Sequence, residues 1–136
     1  MILDTSVLIA IIKEEPETAT FAAIMESVDP LRISAASYLE SSIVVDKARD
    51  PKLSARLDEL LEEAAVVIEP VTAEQAKIAR QAYRDYGRGS GHRANLNFGD
   101  CFSYALARVK REPLLYKGDD FAHTDLRSAM QQPLPT

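Results

Sequence analysis

Short apolar runs alternate along this chain with longer stretches in which apolar residues recur at helical spacing. Met1 to Leu3 reads as a very short strand, and Val7 to Lys13 continues as an apolar segment that ends at the acidic EEPE. Pro16 suits the first turn of a helix that Phe21, Ile24 and Met25 carry to Val28. Asp29-Pro30 is a turn signal, and LRIS after it is strand-like. Helical spacing returns from Ala35 to Arg49 through Ala36, Leu39, Ile43 and Val44. Asp50 then reads as an N-cap, with Pro51 in the first position of a helix that reaches about Glu63. The β-branched AVVIEPV predicts a strand. Thr72 with Gln75 predicts a capping box for a helix that stops at Tyr86 and Gly87. Phe98, Phe102, Ala105, Leu106 and Val109 mark a last helix, whose end carries Arg108, Lys110 and Arg111 where cations complement the helix dipole. PLLYKGDDF closes the pattern as a short strand and turn.

Strands that alternate with helices, with few hairpin turn signals, predict an α/β fold: a short, mostly parallel central sheet flanked by helices. In such sheets ligands bind beyond the carboxyl ends of the strands, and Asp4 and the Asp119-Asp120 pair each follow a predicted strand. The length of 136 residues fits one domain, expected over 1–130, with QQPLPT at 131–136 as a tail. At 46% hydrophobic and 27% charged, the composition is that of an ordinary globular protein. No apolar run reaches the ~18 residues of a membrane span, and the N-terminus lacks the order of a signal peptide, so a cytoplasmic location is expected. The single cysteine, Cys101, allows no internal disulfide and agrees with a reducing compartment. A net charge of -5 excludes bulk attraction to nucleic acid, so any such role needs a local site.

Acidic side chains supply the candidate chemistry. Asp4, Glu40, Asp100 and the Asp119-Asp120 pair each have an ordinary use: helix cap, solvated edge of an apolar stripe, capping partner of Asn97, and turn residue. Together they say more, because they cluster at one sheet edge and on the helices beside it. Several carboxylates without histidine or cysteine partners suit a hard divalent cation, magnesium (Mg²⁺) or Mn²⁺, bound through carboxylates, water and substrate phosphate. Without a cation the same acids would repel one another. The loop at 87–93, with Arg88, His92 and Arg93, and the preceding Arg80 and Arg84 are candidate RNA contacts or simply solvated residues.

MILDTS, SAASYLE ending at Glu40, LNFGDCFSYALA around Asp100 and LLYKGDDFAHTDL resemble, in order and across Met1 to about Arg127, the blocks of the PIN-domain ribonucleases. The likeness is greater still to the VapC toxins of bacterial type II toxin–antitoxin systems. The resemblance implies a PIN-like fold and a Mg²⁺-dependent endoribonuclease in which Asp4, Glu40, Asp100 and Asp120 form the acidic core. Asp4 and Asp100 would be the direct metal ligands, and Asp120 is favoured over Asp119 as the fourth acid. Thr5 or Ser6 resembles the family's supporting hydroxyl. Attack by a metal-activated water would leave a 5′-phosphate and a 3′-hydroxyl. The resemblance also implies an RNA substrate, a VapB-like antitoxin and a homodimer, for which Ile9, Ile12, Phe21 and Ile24 offer surplus apolar surface. Competing readings are an aspartyl-phosphate phosphatase, which wants a second aspartate where Ser6 stands, and a non-enzymatic acidic-pocket signalling or RNA-binding domain.

Overall fold

A computed structural model describes residues 1–131; the expected tail, apart from Gln131, lies outside the described residues. Its strands are β1 (Ile2–Leu3), β2 (Arg32–Ser34), β3 (Val67–Glu69) and β4 (Leu114–Leu115). They form one sheet in the order β3-β2-β1-β4, and every pairing is parallel. The helices are α1 (Thr5–Ile12), α2 (Thr18–Glu26), α3 (Ala35–Asp46), α4 (Pro51–Glu63), α5 (Ala73–Tyr86) and α6 (Phe98–Lys110), with 3-10 turns at Phe121–His123 and Ala129–Gln131.

Side chains of a strand alternate between faces, so the two central strands feed two cores. Leu3 and Leu115 join Val7, Leu8, Phe21, Ile33 and Leu57 on one side; Ile2 and Leu114 join Ala82, Leu96, Tyr104 and Leu106 on the other. Parallel strands this short are stable because both faces are covered. β3 lies at the sheet edge, and its Val67 and Ile68 stay largely exposed, so the long apolar run at 64–71 contributes only three ladder residues.

Local sequence sets most helix ends. Asp50 accepts a hydrogen bond from the Lys52 N–H ahead of Pro51, as expected for an N-cap. Thr72 accepts from the Gln75 N–H at 3.1 Å, but the Gln75 side chain donates to the Pro70 carbonyl, so only half of the predicted capping box forms. Pro16 stands ahead of α2 rather than in its first turn. Gly87 ends α5 in extended backbone and not in a left-handed cap; a Cβ there would strike the Tyr83 carbonyl and ring.

The apolar stripe of α3 faces outward, and that of α6 is exposed at its first residue. In α3 the buried residues are Ser37, Ser41 and Val45, whereas Leu39 is 57% exposed and Ile43 and Val44 also face outward. In α6, Ala105 and Leu106 are buried as the periodicity predicts, but Phe98 is 78% exposed and rests edge-on against Phe102. Conversely, Ile12 and Phe21 are core residues and Ile9 and Ile24 pack against that core, so none of these is surplus surface.

Candidate active site

The fold gathers the acids by bringing helix N-termini to the carboxyl edge of the sheet. Strand order reverses about β1, since β1 connects to β2 on one side and β4 lies on the other; a crevice is expected there. Asp4 follows β1 as the N-cap of α1 and is 5% exposed. Its Oδ2 accepts from the Ser6 N–H at 3.0 Å, and its Oδ1 accepts from Ser103 Oγ of α6 at 2.5 Å. Asp100 sits in the first turn of α6 and closes a capping box: its Oδ2 accepts from the Asn97 N–H at 3.0 Å, and Asn97 Oδ1 accepts from the Asp100 N–H at 2.8 Å. Capping and site formation therefore coexist, because each aspartate spends one oxygen on a helix end whose dipole favours negative charge.

Asp4, Glu40 and Asp100 line one open cleft of about 550 Å³, together with Thr5, Ser6, Glu15, Asn97 and Lys117. Glu40 comes from the second turn of α3, and its carboxylate lies against Gly99: a Cβ on Gly99 would collide with both carboxylate oxygens. Burial is the main cause that raises the Asp100 pKa to about 6, and the charges of Asp4, Asp120 and Glu40 add to it against the Asn97 N–H. Asp120 is exposed on the rim, outside the cleft wall, at the start of the 3-10 turn. Its neighbour Phe121 is buried against Tyr116 and anchors the segment.

The hydroxyl on Asp4 belongs to Ser103 rather than to Thr5 or Ser6. Thr5 Oγ1 donates to the Ser37 carbonyl, and Ser6 Oγ accepts from the Lys117 N–H. Ser37 Oγ lies 3.2 Å from Ser103 Oγ, so a seam of small hydroxyls joins α3 to α6 beneath Asp4. Ser103 stands one turn after Asp100, and Ser37 one turn before Glu40; polar residues at these buried positions are the sequence signal for the seam. Lys117 and Glu15 are further cleft residues that acid spacing alone did not identify.

The basic loop stays apart. His92 Nδ1 accepts from the Ala94 N–H and its ring meets Tyr86 edge-on, while Arg80, Arg84, Arg88 and Arg93 are absent from the cleft wall. Cys101 is buried, and burial together with Asp100 pushes its thiol up to about 11, the state of a packed and unreactive side chain.

The donor chemistry fits a hard cation. Its groups are carboxylates, and the one ammonium in the wall is engaged by Glu15. Among the described residues no three His, Cys, Asp or Glu side chains close around a common point. Carboxylate oxygens are the donors that a hard cation such as Mg²⁺ takes.

Comparison with known proteins places this geometry. The PIN domain family model matches residues 1–126. Ribonuclease VapC28 of Mycobacterium tuberculosis is 58% identical over 132 residues, covering 97% of this chain and 99% of its own. Among solved structures, VapC20 of M. tuberculosis, described as a sarcin-ricin loop cleaving toxin, superposes with a TM-score of 0.71 at 20% identity over 92% of this chain and 95% of that one. A toxin–antitoxin complex from Klebsiella pneumoniae gives a TM-score of 0.69 at 20% identity, over 91% and 92% of the two chains. With its parallel sheet and the acids of the MILDTS, SYLE and NFGD blocks at one edge, the chain belongs to the PIN-domain family and, within it, to the VapC ribonucleases.

Proposed function

We propose that this protein is a Mg²⁺-dependent endoribonuclease, the toxin of a VapBC-like toxin–antitoxin pair. The observation that carries the reading is the convergence of Asp4, Glu40 and Asp100 on one cleft, with the Asp100 carboxylate made costly by burial and by its acidic neighbours. Such an arrangement is stabilised by a cation.

Asp4 and Asp100 would hold the ion, Mg²⁺ or Mn²⁺, through the carboxylate oxygens that capping leaves available. When bound, it supplies Lewis acidity, neutralising phosphodiester charge and easing deprotonation of water. Ser103 fixes the rotamer of Asp4 through its hydrogen bond. Glu40, whose carboxylate lies against Gly99, would accept a hydrogen bond from the attacking water and so orient it, and Asp120 would add its charge beside Asp100. Displacement in line would leave a 5′-phosphate and a 3′-hydroxyl, with no protein nucleophile.

A VapB-like antitoxin is supported by the structural neighbour from Klebsiella pneumoniae, which was solved as a toxin–antitoxin complex. Self-association as a homodimer is supported by the outward apolar residues Leu39, Ile43 and Phe98, which no element of the chain covers among the described residues. Among the described residues no helix is long and apolar enough to cross a membrane; a cytoplasmic location is proposed from the free buried Cys101, which suits a reducing compartment.

The test is cleavage of total cellular RNA by the purified protein with Mg²⁺, Mn²⁺ or EDTA, beside Asp100→Ala, with mapping of the new ends. Metal-dependent cuts bearing 5′-phosphates and absent from the variant are expected. Equal cutting by both proteins overturns the assignment.

A further inference from the structure

Among the described residues, Lys117 is the only lysine or arginine in the wall of the acidic cleft. It follows β4, and its backbone N–H donates to Ser6 Oγ at 2.9 Å, while the Ser6 N–H caps onto Asp4. The main chain of the lysine is thus tied to the turn that presents the buried aspartate. Gly118 follows at φ +95 and lines the same cleft. Its Nζ lies 2.6 Å from Glu15 Oε2 and 2.9 Å from Glu17 Oε2, both on the segment between α1 and α2.

Three facts decide what this lysine does. The cleft wall carries Asp4, Glu15, Glu40 and Asp100, and the whole chain carries -5, so among the side chains of the wall Lys117 is the cation that attracts an RNA backbone. The arginines of the 80–93 region stand outside the cleft wall and cannot serve there. Finally, the lysine side chain is 35% exposed, so a phosphate can reach its ammonium from solvent.

We propose that Lys117 is the residue that positions an RNA phosphate at the cleft, and that Glu15 and Glu17 hold its ammonium in place until the substrate phosphate displaces them. This inference rests on the nuclease reading above. Ammonium-to-phosphate contact supplies affinity and register without reading sequence, which makes Lys117 a positioning residue.

The experiment is steady-state cleavage of a single-stranded fluorogenic RNA oligonucleotide across a salt series, for the wild type, Lys117→Met, Lys117→Arg and the double variant Glu15→Gln with Glu17→Gln. Lys117→Met is expected to raise KM about tenfold with little change in kcat, and to flatten the dependence of log(kcat/KM) on log salt by roughly 0.7, the value of one phosphate contact to a single strand. Lys117→Arg restores most of the loss, and the double glutamine variant lowers KM by freeing the ammonium. A Lys117→Met enzyme with wild-type KM and salt slope overturns the proposal. So does one whose melting temperature and kcat fall together at an unchanged salt slope, the mark of a structural brace. If the wild type itself shows no Asp100-dependent cleavage, the nuclease reading fails instead; anisotropy of the same oligonucleotide with wild type and Lys117→Met then decides whether the lysine binds RNA.

Discussion

Asp100 closes the capping box of α6 with one carboxylate oxygen while burial and neighbouring acids hold its pKa at about 6, above its ordinary 3.8. Because the folded-state value is the higher, the native protein binds more protons than the unfolded chain between these pH values. This group's contribution to stability therefore falls as pH rises through that window and stays lost above it. Asp100→Asn keeps an oxygen for the Asn97 N–H and removes the charge. In urea titrations without divalent ions it is expected to be more stable than wild type by about 1 kcal/mol near neutral pH, with the gain vanishing toward pH 4; partial exposure keeps the figure below the full value of the shift. Gly99 makes a separate test at the same scale. Alanine there suits a helix, yet its Cβ collides with the Glu40 carboxylate, the free end of a flexible side chain. Gly99→Ala is thus expected to keep or slightly raise the melting temperature while RNA cleavage falls at least about tenfold, because Glu40 must swing away. Retained cleavage at an unchanged melting temperature would show that Glu40 has no role at the site.

At the scale of elements, α3 and α6 meet through hydroxyls where most helix pairs meet through aliphatic side chains. Small polar residues allow close approach and supply a donor to the buried Asp4. Ser103→Ala is expected to cost about 1–3 kcal/mol in chemical denaturation, since it strips a buried carboxylate oxygen of its only side-chain donor, and to reduce nuclease activity with it. The outer face of α3 should behave in the opposite way. Leu39→Ser and Ile43→Ser are expected to change monomer stability by no more than about 0.5 kcal/mol, whereas Phe21→Ala, truncating a 1% exposed core ring of α2, should cost about 3–5 kcal/mol. Urea titrations below the concentration of any self-association separate the two classes. The serine side of α3 also explains why its apolar periodicity misleads: Ser37 and Ser41 take buried positions, while Leu39 and Ile43 face outward.

For the whole molecule, acids from three different helical elements share one cleft, so an ion that binds there links them and stabilises the folded state by mass action. Millimolar Mn²⁺ is expected to raise the melting temperature of the wild type by several degrees and to leave Asp4→Asn with Asp100→Asn unmoved, as read by scanning calorimetry. An equal rise in both proteins would show that the ion binds elsewhere.

Amino-acid order alone determined the alternation of strands and helices and the Asp50-Pro51 and Asn97 to Asp100 helix starts, because caps and periodicity act over a few residues of chain. The placement of Asp4 after β1 and of Lys117 after β4 was legible in the same way, since each follows its strand directly. Tertiary structure alone decided which face of α3 is buried, that Ser103 rather than Thr5 or Ser6 holds Asp4, that Gly99 is the bed for Glu40, and that Lys117 is the cation of the cleft. Each of these joins residues far apart in the chain, Asp4 and Ser103 being 99 positions apart. Their contacts follow from the strand order β3-β2-β1-β4 and the packing of helices on both faces, which no local pattern encodes.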